Sequence, residues 1–252
     1  MNKIISFGGG VNSVAMVIML YKRGEIYPCV FADTMAEHPE TYCYMDYFER
    51  EFMGKYGQKI VRIDPYDNPE YYNKRAKGKG LLEYCREKGI VPRAFQGRWC
   101  SEDWKQIPLD RKKKEMGSEI MLAGIAYDER NRVLKHTHIL NEYPLIDSQT
   151  TRNGCIEIIQ NEGLSVPRKS GCFLCPLQRM SGLYELWEKY QDLFDILVHL
   201  DDSAYAITTG NKLRLLPSGI PVKIIRERFE AKGGELFPDY DYEELTPCMC
   251  IT

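Results

Sequence analysis

The sequence predicts an α/β fold: a doubly wound, mostly parallel sheet of Rossmann-like form with a C-terminal helical and irregular extension. Three observations lead there. Short apolar runs alternate with longer helical ones from the N-terminus to about Asn161, the first run enters three consecutive glycines, and the alternation stops near Pro167. Strands that alternate with helices make a parallel sheet covered on both faces.

The elements read in order as follows. Lys3-Ile4-Ile5-Ser6-Phe7 is a short buried strand, and Ser13 to Lys22 a helix, apolar on most faces and stopped by Gly24. Tyr27 to Ala32 is a second strand ending at Asp33. Pro39 suits the first turn of a helix that runs to about Tyr56, with Glu40 where the helix dipole favours negative charge. Lys59 to Ile63 is a third strand, followed by a polar, tyrosine-rich stretch from Pro65 to Gly80. Leu81–Lys88 and Glu102–Met116 read as helices, Ile120–Ile125 as a strand, His138–Ile146 as containing another, and Thr151–Asn161 as a helix. Leu183 to Leu200 carries Leu183, Leu186, Trp187, Tyr190, Leu193, Phe194 and Leu197 at the spacing of one core-facing helix. The last fifty residues read as charged and irregular. A nucleotide-binding unit over residues 1–166 and a cysteine-containing unit over 167–252 are expected.

Composition narrows the class. With 252 residues, 44% of them hydrophobic, the chain can bury a large core. A net charge of -2 gives no global sign of a polyanion partner, although a local basic patch is compatible with it. The apolar run Ala15–Leu20 is too short to span a bilayer, and no basic segment, apolar core and cleavage site precede the first strand, so a cytoplasmic protein without membrane contact is expected. Nine cysteines, an odd number, then point to metal ligands or nucleophiles rather than a disulfide framework.

The loop Ser6-Phe7-Gly8-Gly9-Gly10-Val11-Asn12-Ser13 is an anion site in physical terms. Glycines let backbone N–H groups approach phosphate oxygens, the helix N-terminus adds partial positive charge, and Ser13 adds a donor. The loop has neither the spacing nor the lysine of G-x-x-x-x-G-K-[ST]. Asn12 can hydrogen-bond but brings no carboxylate to Mg²⁺. Asp33, at the carboxyl end of the adjacent strand, lies in the crevice where open α/β sheets bind ligands, and its carboxylate can take ribose or adenine donors. His38 reads as a surface residue, and Cys29, Cys43 and Cys85 as small core residues.

Cys172-x-x-Cys175, between Gly171 and Pro176, is a metal-ligand knuckle: two thiolates on one turn can hold one metal or two irons of a cluster. A redox pair is the other reading of the same spacing. The tail closes on Pro247-Cys248-Met249-Cys250.

Six segments, over residues 6 to 176, carry a resemblance. Gly8–Ser13 resembles the S-G-G-x-D-S pyrophosphate loop of the PP-loop, or adenine nucleotide α-hydrolase, superfamily, with Gly8 for serine and Asn12 for aspartate. Phe31-Ala32-Asp33-Thr34-Met35 and Pro39-Glu40-Thr41-Tyr42 resemble F-x-D-T-G-x-x-x-P-E-T-Y of the phosphoadenosine phosphosulfate (PAPS) reductases, with Met35 for glycine. Arg98 to Leu109 resembles the segment in which a cysteine or cysteine pair is followed by a lysine and Pro-Leu; here Cys100 stands alone and Lys105 supplies the lysine. Gly124 to Arg132 is similar to G-I-R-x-D-E-S-x-x-R, and Tyr143–Asp147 and Gly163–Pro167 to two later motifs that lead to Cys172.

The resemblance implies the PP-loop fold and an enzyme of sulfur metabolism. Ser6, Gly8, Gly9, Gly10, Asn12, Ser13, Asp33, Thr34, Arg98, Gly124 and Arg132 would bind ATP or a sulfonucleotide (PAPS or adenosine phosphosulfate), with Arg130 a further candidate for a phosphate or sulfate. Cys100, Lys105, Cys248 and Cys250 would be catalytic. Cys100, Cys172, Cys175 and Cys248 would hold a 4Fe-4S cluster, with zinc as the alternative and Cys155 or Cys250 as other fourth ligands. Three functions follow: a nucleotide-dependent sulfurtransferase, a sulfonucleotide reductase using a tail cysteine, and a nucleotide-binding module with a structural metal. The partners implied are a sulfur donor protein such as a cysteine desulfurase, or thioredoxin, and for the first reading a nucleic-acid acceptor.

Overall fold

The computed structural model describes residues 2–93, 98–135, 141–207 and 214–232. Five strands form one sheet: β1 (Lys3–Ser6), β2 (Cys29–Ala32), β3 (Ile60–Ile63), β4 (Ile120–Ala123) and β5 (Asn141–Glu142). Their order is β3-β2-β1-β4-β5 and every pairing is parallel. Ile5 of β1 lies opposite Cys29 on one side and Leu122 on the other. The order reverses at β1, so the crevice beyond the carboxyl ends of β1 and β4 is the switch point of the sheet.

Alternate strand residues feed two apolar layers, as a sheet buried on both faces requires. Ile4, Val30, Ala32, Ile63 and Met121 face one layer, and Ile5, Cys29, Phe31 and Leu122 face the other. The second layer contains α1 (Val11–Lys22), α2 (Pro39–Glu51) and, later in the chain, α7 (Arg152–Asn161). The first layer contains α3 (Leu81–Lys88), the run α4 (Trp99–Ser101), a π-helical turn (Glu102–Gln106) and α5 (Ile107–Glu115), and the helices past Pro167. Those are α8 (Met180–Lys189), α9 (Gln191–Ile207) and α10 (Val222–Lys232), which share one core with the sheet; α6 (Pro144–Asp147) is a single turn after β5.

Several elements differ from the sequence reading. The second helix stops at Glu51 and continues as a 3₁₀ turn, Met53–Tyr56. The single helix expected over Leu183–Leu200 is two, parted at Tyr190, whose φ of -137° and ψ of 65° leave the helical region. Both bury the same stripe, with Leu183 and Leu186 before the break and Phe194 and Leu197 after it, so periodicity runs through the break unseen. The last fifty residues are not all irregular: α9 extends to Ile207, and α10 buries Val222, Ile225 and Phe229. Asp201 joins these helices, its carboxylate accepting the N–H groups of Leu215 (2.6 Å) and Val222 (3.2 Å).

Beyond β4 the chain turns at Gly124 against the first turn of α1. A Cβ at Gly124 would stand 2.9 Å from both Ser13 Cα and Ser13 N, backbone atoms that cannot swing aside. Gly124→Ala is therefore expected to destabilise the fold by about 1–3 kcal/mol, through overpacking. Gly182→Ala is the opposite case: the added methyl meets nothing within 4 Å inside α8. It should stabilise by about 0.5–1 kcal/mol. Urea unfolding of the two variants beside the parent chain measures both.

Candidate nucleotide and thiol site

The site begins where β1 ends. Phe7 stacks on Phe48 of α2 (ring centroids 5.8 Å apart, planes 6° apart) and fixes the entry to the glycines. Gly9 has φ +69°, and a Cβ there would stand 3.1 Å from Thr41 of α2. Gly10 is the N-cap of α1 and offers no side-chain acceptor to the first N–H groups of the helix, which leaves them to an anion. Ser13 is turned inward: its hydroxyl accepts the Gly8 N–H (3.3 Å) and donates to the Gly10 carbonyl (3.0 Å). It latches the loop in shape. Ser6, 1% exposed, belongs to the strand register beneath.

Asn12 spans the switch point. Its amide donates to Glu129 Oε2 (2.9 Å) and its carbonyl accepts from Arg152 (3.4 Å). Arg132 reaches the same Glu129 oxygen (3.2 Å), so two arginines stand at the rim of the loop. An aspartate at position 12 would set its carboxylate against that of Glu129; asparagine turns this repulsion into a hydrogen bond. Arg132 was legible in the sequence, whereas Arg152 and Glu129 as partners of Asn12 were not, because one comes from α7 packing beside α1 and the other from the turn after β4. Arg130 is exposed, its guanidinium over the Tyr127 ring (4.5 Å).

At the end of β2, Asp33 Oδ1 accepts from the Met35 N–H and the Tyr42 hydroxyl, both at 2.7 Å. Burial pushes the Asp33 carboxyl above the ordinary range; these two donors and Lys105 pull it down. Met35 holds φ +59°, a left-handed conformation that glycine takes freely and a side chain takes at a cost of about 1 kcal/mol. Thr34 donates to Glu37 Oε1 (3.0 Å), which also pairs with Lys105 Nζ (2.9 Å). Both members of that pair are buried, Glu37 to 3% and Lys105 to 8% exposure, and Glu37 Oε2 has no partner among the described residues. Glu37 occupies a position that the family pattern leaves open, so only its contact with Lys105, far along the chain, exposes its role.

The Cys172–Cys175 turn is built onto this segment. Glu37 and Cys172 form an antiparallel bridge, Phe173 N–H donates to the Ala36 carbonyl (2.9 Å), and His38 N–H donates to the Gly171 carbonyl (3.2 Å). Phe173 and Leu174 are buried and both thiols are half-buried. Ser170, just before the turn, sits over Gly10, where a Cβ would come within 2.5 Å of its hydroxyl oxygen. His38, expected at the surface, is 3% exposed, and its Nε2 lies 3.3 Å from Gln178 Oε1. It pins the far end of the same turn, and burial lowers its pKa.

The other cysteines separate. Cys100 is half-buried in the layer of Cys172; burial raises its thiol pKa, while the Ser101 N–H, Lys105 and Arg98 oppose the rise. Cys155 is wholly buried in the opposite layer, away from that of Cys172, and burial pushes its thiol up to about 12. Cys29 and Cys85 are core residues as expected, but Cys43 is exposed. Cys248 and Cys250 lie outside the described residues. Among the described residues, no three His, Cys, Asp or Glu side chains are grouped to hold a metal. Cys172 and Cys175 stand on one turn closed by the Cys175 N–H to Cys172 carbonyl bond (3.1 Å), and the described residues do not complete a cluster site with Cys100. Among the same residues, no helix is long and apolar enough to cross a membrane.

The phosphoadenosine phosphosulfate reductase domain model matches residues 2–143, from β1 through β5. The chain belongs to the PAPS reductase domain family. No curated protein matches the sequence. Among solved structures, the chain is similar to phosphoadenylyl-sulfate (PAPS) reductase from Candida auris in its phosphate complex, at 16% identity over 69% of this chain and 82% of that one, with a TM-score of 0.49. It is also similar to the U34-tRNA thiolase NcsA from Methanococcus maripaludis with its 4Fe-4S cluster, at 16% identity over 99% of this chain and 80% of that one, with a TM-score of 0.48. Membership in the PAPS reductase family makes the chain an enzyme by kinship. The family match ends before the Cys172–Cys175 turn that closes over the loop.

The buried Asp33 carboxylate generates a pH-dependent prediction. Its raised pKa means that ionisation is less favourable in the folded chain than in the unfolded one, so the charge costs stability above the unfolded carboxylate range. The cost fades as pH falls through the folded pKa. Asp33→Asn keeps an acceptor for Met35 and Tyr42. It is expected to raise Tm at about pH 7.5, with the gain shrinking toward about pH 4. The same substitution is expected to weaken adenine nucleotide binding, as titration calorimetry would record.

Proposed function

We propose that the chain is a nucleotide-dependent sulfurtransferase: it binds ATP at the β1–α1 loop, activates an acceptor oxygen by adenylation, and replaces that oxygen with sulfur delivered by a cysteine. The observation that carries the reading is the junction of the two halves. The Cys172–Cys175 turn is hydrogen-bonded to Ala36–His38, three residues beyond Asp33, and Ser170 lies on Gly10 of the phosphate loop. Thiols and phosphate loop therefore share one edge of the sheet. In a family that handles sulfonucleotides, this supports sulfur chemistry at the nucleotide rather than nucleotide binding alone.

Each group has a part. The N–H groups of the loop and Arg132 and Arg152 hold phosphates, and Asp33 receives donors from the nucleoside. Lys105, neutralised by Glu37, keeps the ground between Thr34 and the turn compact. Attack of the acceptor oxygen on the α-phosphorus breaks the bond to pyrophosphate; attack of the outer sulfur of a cysteine persulfide on the activated carbon then expels AMP, and a second thiolate takes the inner sulfur, breaking the S–S bond to leave the new C–S⁻ on the acceptor and a disulfide that an external dithiol reduces. Cys172 and Cys175 would also supply two ligands to a 4Fe-4S cluster or to zinc, and no step is assigned to the metal.

The test is anaerobic incubation of the full chain with ATP, a ³⁵S-labelled persulfide donor and a desalted cell extract as source of acceptors, with iron and zinc measured on the same sample. The expected result is label bound covalently only with ATP, one pyrophosphate released per sulfur, and loss of about 100-fold or more in Cys172→Ser, the scale for removal of a nucleophile. Sulfite release from PAPS or adenosine phosphosulfate with thioredoxin, without labelled acceptor, would overturn it in favour of the reductase reading.

A further inference from the structure

The chain carries a concentrated positive charge that the site does not use. Residues 71–93 hold seven Lys and Arg against two Glu, in a chain whose net charge is -2. The run Asn73-Lys74-Arg75-Ala76-Lys77-Gly78-Lys79-Gly80 is the dense part. Lys74, Arg75 and Lys77 are exposed, and neither lysine side chain has an acidic partner among the described residues.

The surface is also rigid and apolar in the right places. Trp104, fully buried, donates its indole N–H to the Lys79 carbonyl (2.9 Å), and Asp103 takes Asn73 and Arg75. The Leu81 N–H donates to the Thr34 carbonyl (2.9 Å), which fastens the run to the end of β2, one residue from Asp33. A Cβ on Gly80 would touch both Met35 and the Tyr66 hydroxyl, so those two side chains meet there. Met35 is 43% and Tyr66 47% exposed, two of only three large apolar side chains so exposed among the described residues. On the other flank, Arg75 lies over the half-buried Trp99 next to Cys100.

Basic side chains that follow a backbone, beside an exposed tyrosine ring, a half-buried tryptophan and a thioether on which bases can stack, are a combination that suits single-stranded nucleic acid. We propose that this surface binds a single-stranded or unpaired stretch of nucleic acid and leads one of its bases to the edge between Met35 and the cysteines. The proposal rests on the sulfur-transfer reading above and supplies its acceptor class. An acidic polypeptide would use the lysines but not the rings.

Fluorescence anisotropy with a labelled 20-nucleotide mixed-sequence RNA, its duplex, and polyglutamate as competitor tests the surface without turnover. The expected result is single-strand binding tighter than duplex binding and falling steeply with salt, by about 0.7 log units per tenfold salt for each phosphate contacted. Lys74→Glu with Lys77→Glu should weaken it at least tenfold and flatten the salt slope, with ATP affinity unchanged. Tyr66→Ala should weaken single-strand binding about tenfold at an unchanged slope, with Tyr66→Phe restoring it. No binding at low salt, indifference to the double charge reversal, or displacement by polyglutamate as readily as by RNA would overturn the proposal. Loss of oligonucleotide binding with ATP-dependent labelling intact removes this surface and leaves the reaction standing; binding without labelling does the reverse.

Discussion

The backbone of Gly124 lies against the backbone of Ser13, closer than any side chain allows, and the remainder of the site is arranged around that contact. It draws the turn after β4 onto the first turn of α1, at the point where the strand order reverses. Once those turns touch, Glu129 and Arg152 can reach Asn12, and Arg132 follows through Glu129. The crevice at the carboxyl ends of β1 and β4 is thereby bordered by the N–H groups of the loop and by two arginines. Burial on both faces makes the geometry stiff: α1 is packed on most sides and has little freedom to withdraw its N-terminus from the strand it follows.

A second constraint brings sulfur to the same edge. The segment after β2 offers its backbone to the Cys172 turn, and its side chains do the rest: Glu37 takes Lys105, and His38 holds Gln178. A buried ion pair is costly in desolvation and contributes little net stability, but it fixes where the lysine can be. The strain at Met35 fits this pattern, since a left-handed methionine is tolerated where the Asp33 carboxylate clasps its N–H. These features place a carboxylate, a buried ammonium and two half-buried thiols at one end of the sheet.

Much of this was legible in the sequence. Three glycines after an apolar run located the loop, and the continuous apolar strands announced a sheet buried on both faces. Asp33 and Tyr42 stood in one motif and meet in space. What escaped reading depends on contacts across distant segments. His38 looks like a surface residue beside Pro39, and only the return of the chain at Gly171 buries it. Cys100, Cys155 and Cys172 look alike as thiols, and only the packing of α7 beside α1 separates Cys155 into the opposite layer. The break at Tyr190 is invisible to periodicity because the two helices continue one apolar stripe. α10 was masked by the charges between its three buried residues.

The central claim is that the loop between β1 and α1 receives the phosphates of an adenine nucleotide, with its nucleoside toward Asp33. A crystal structure of the full chain with a non-hydrolysable ATP analogue tests it most directly. Phosphate oxygens are expected on the N–H groups of Gly9 to Asn12, with Arg132 or Arg152 turned to them and the ribose or adenine hydrogen-bonded at Asp33. An analogue bound in solution whose phosphates lie away from this loop would contradict it.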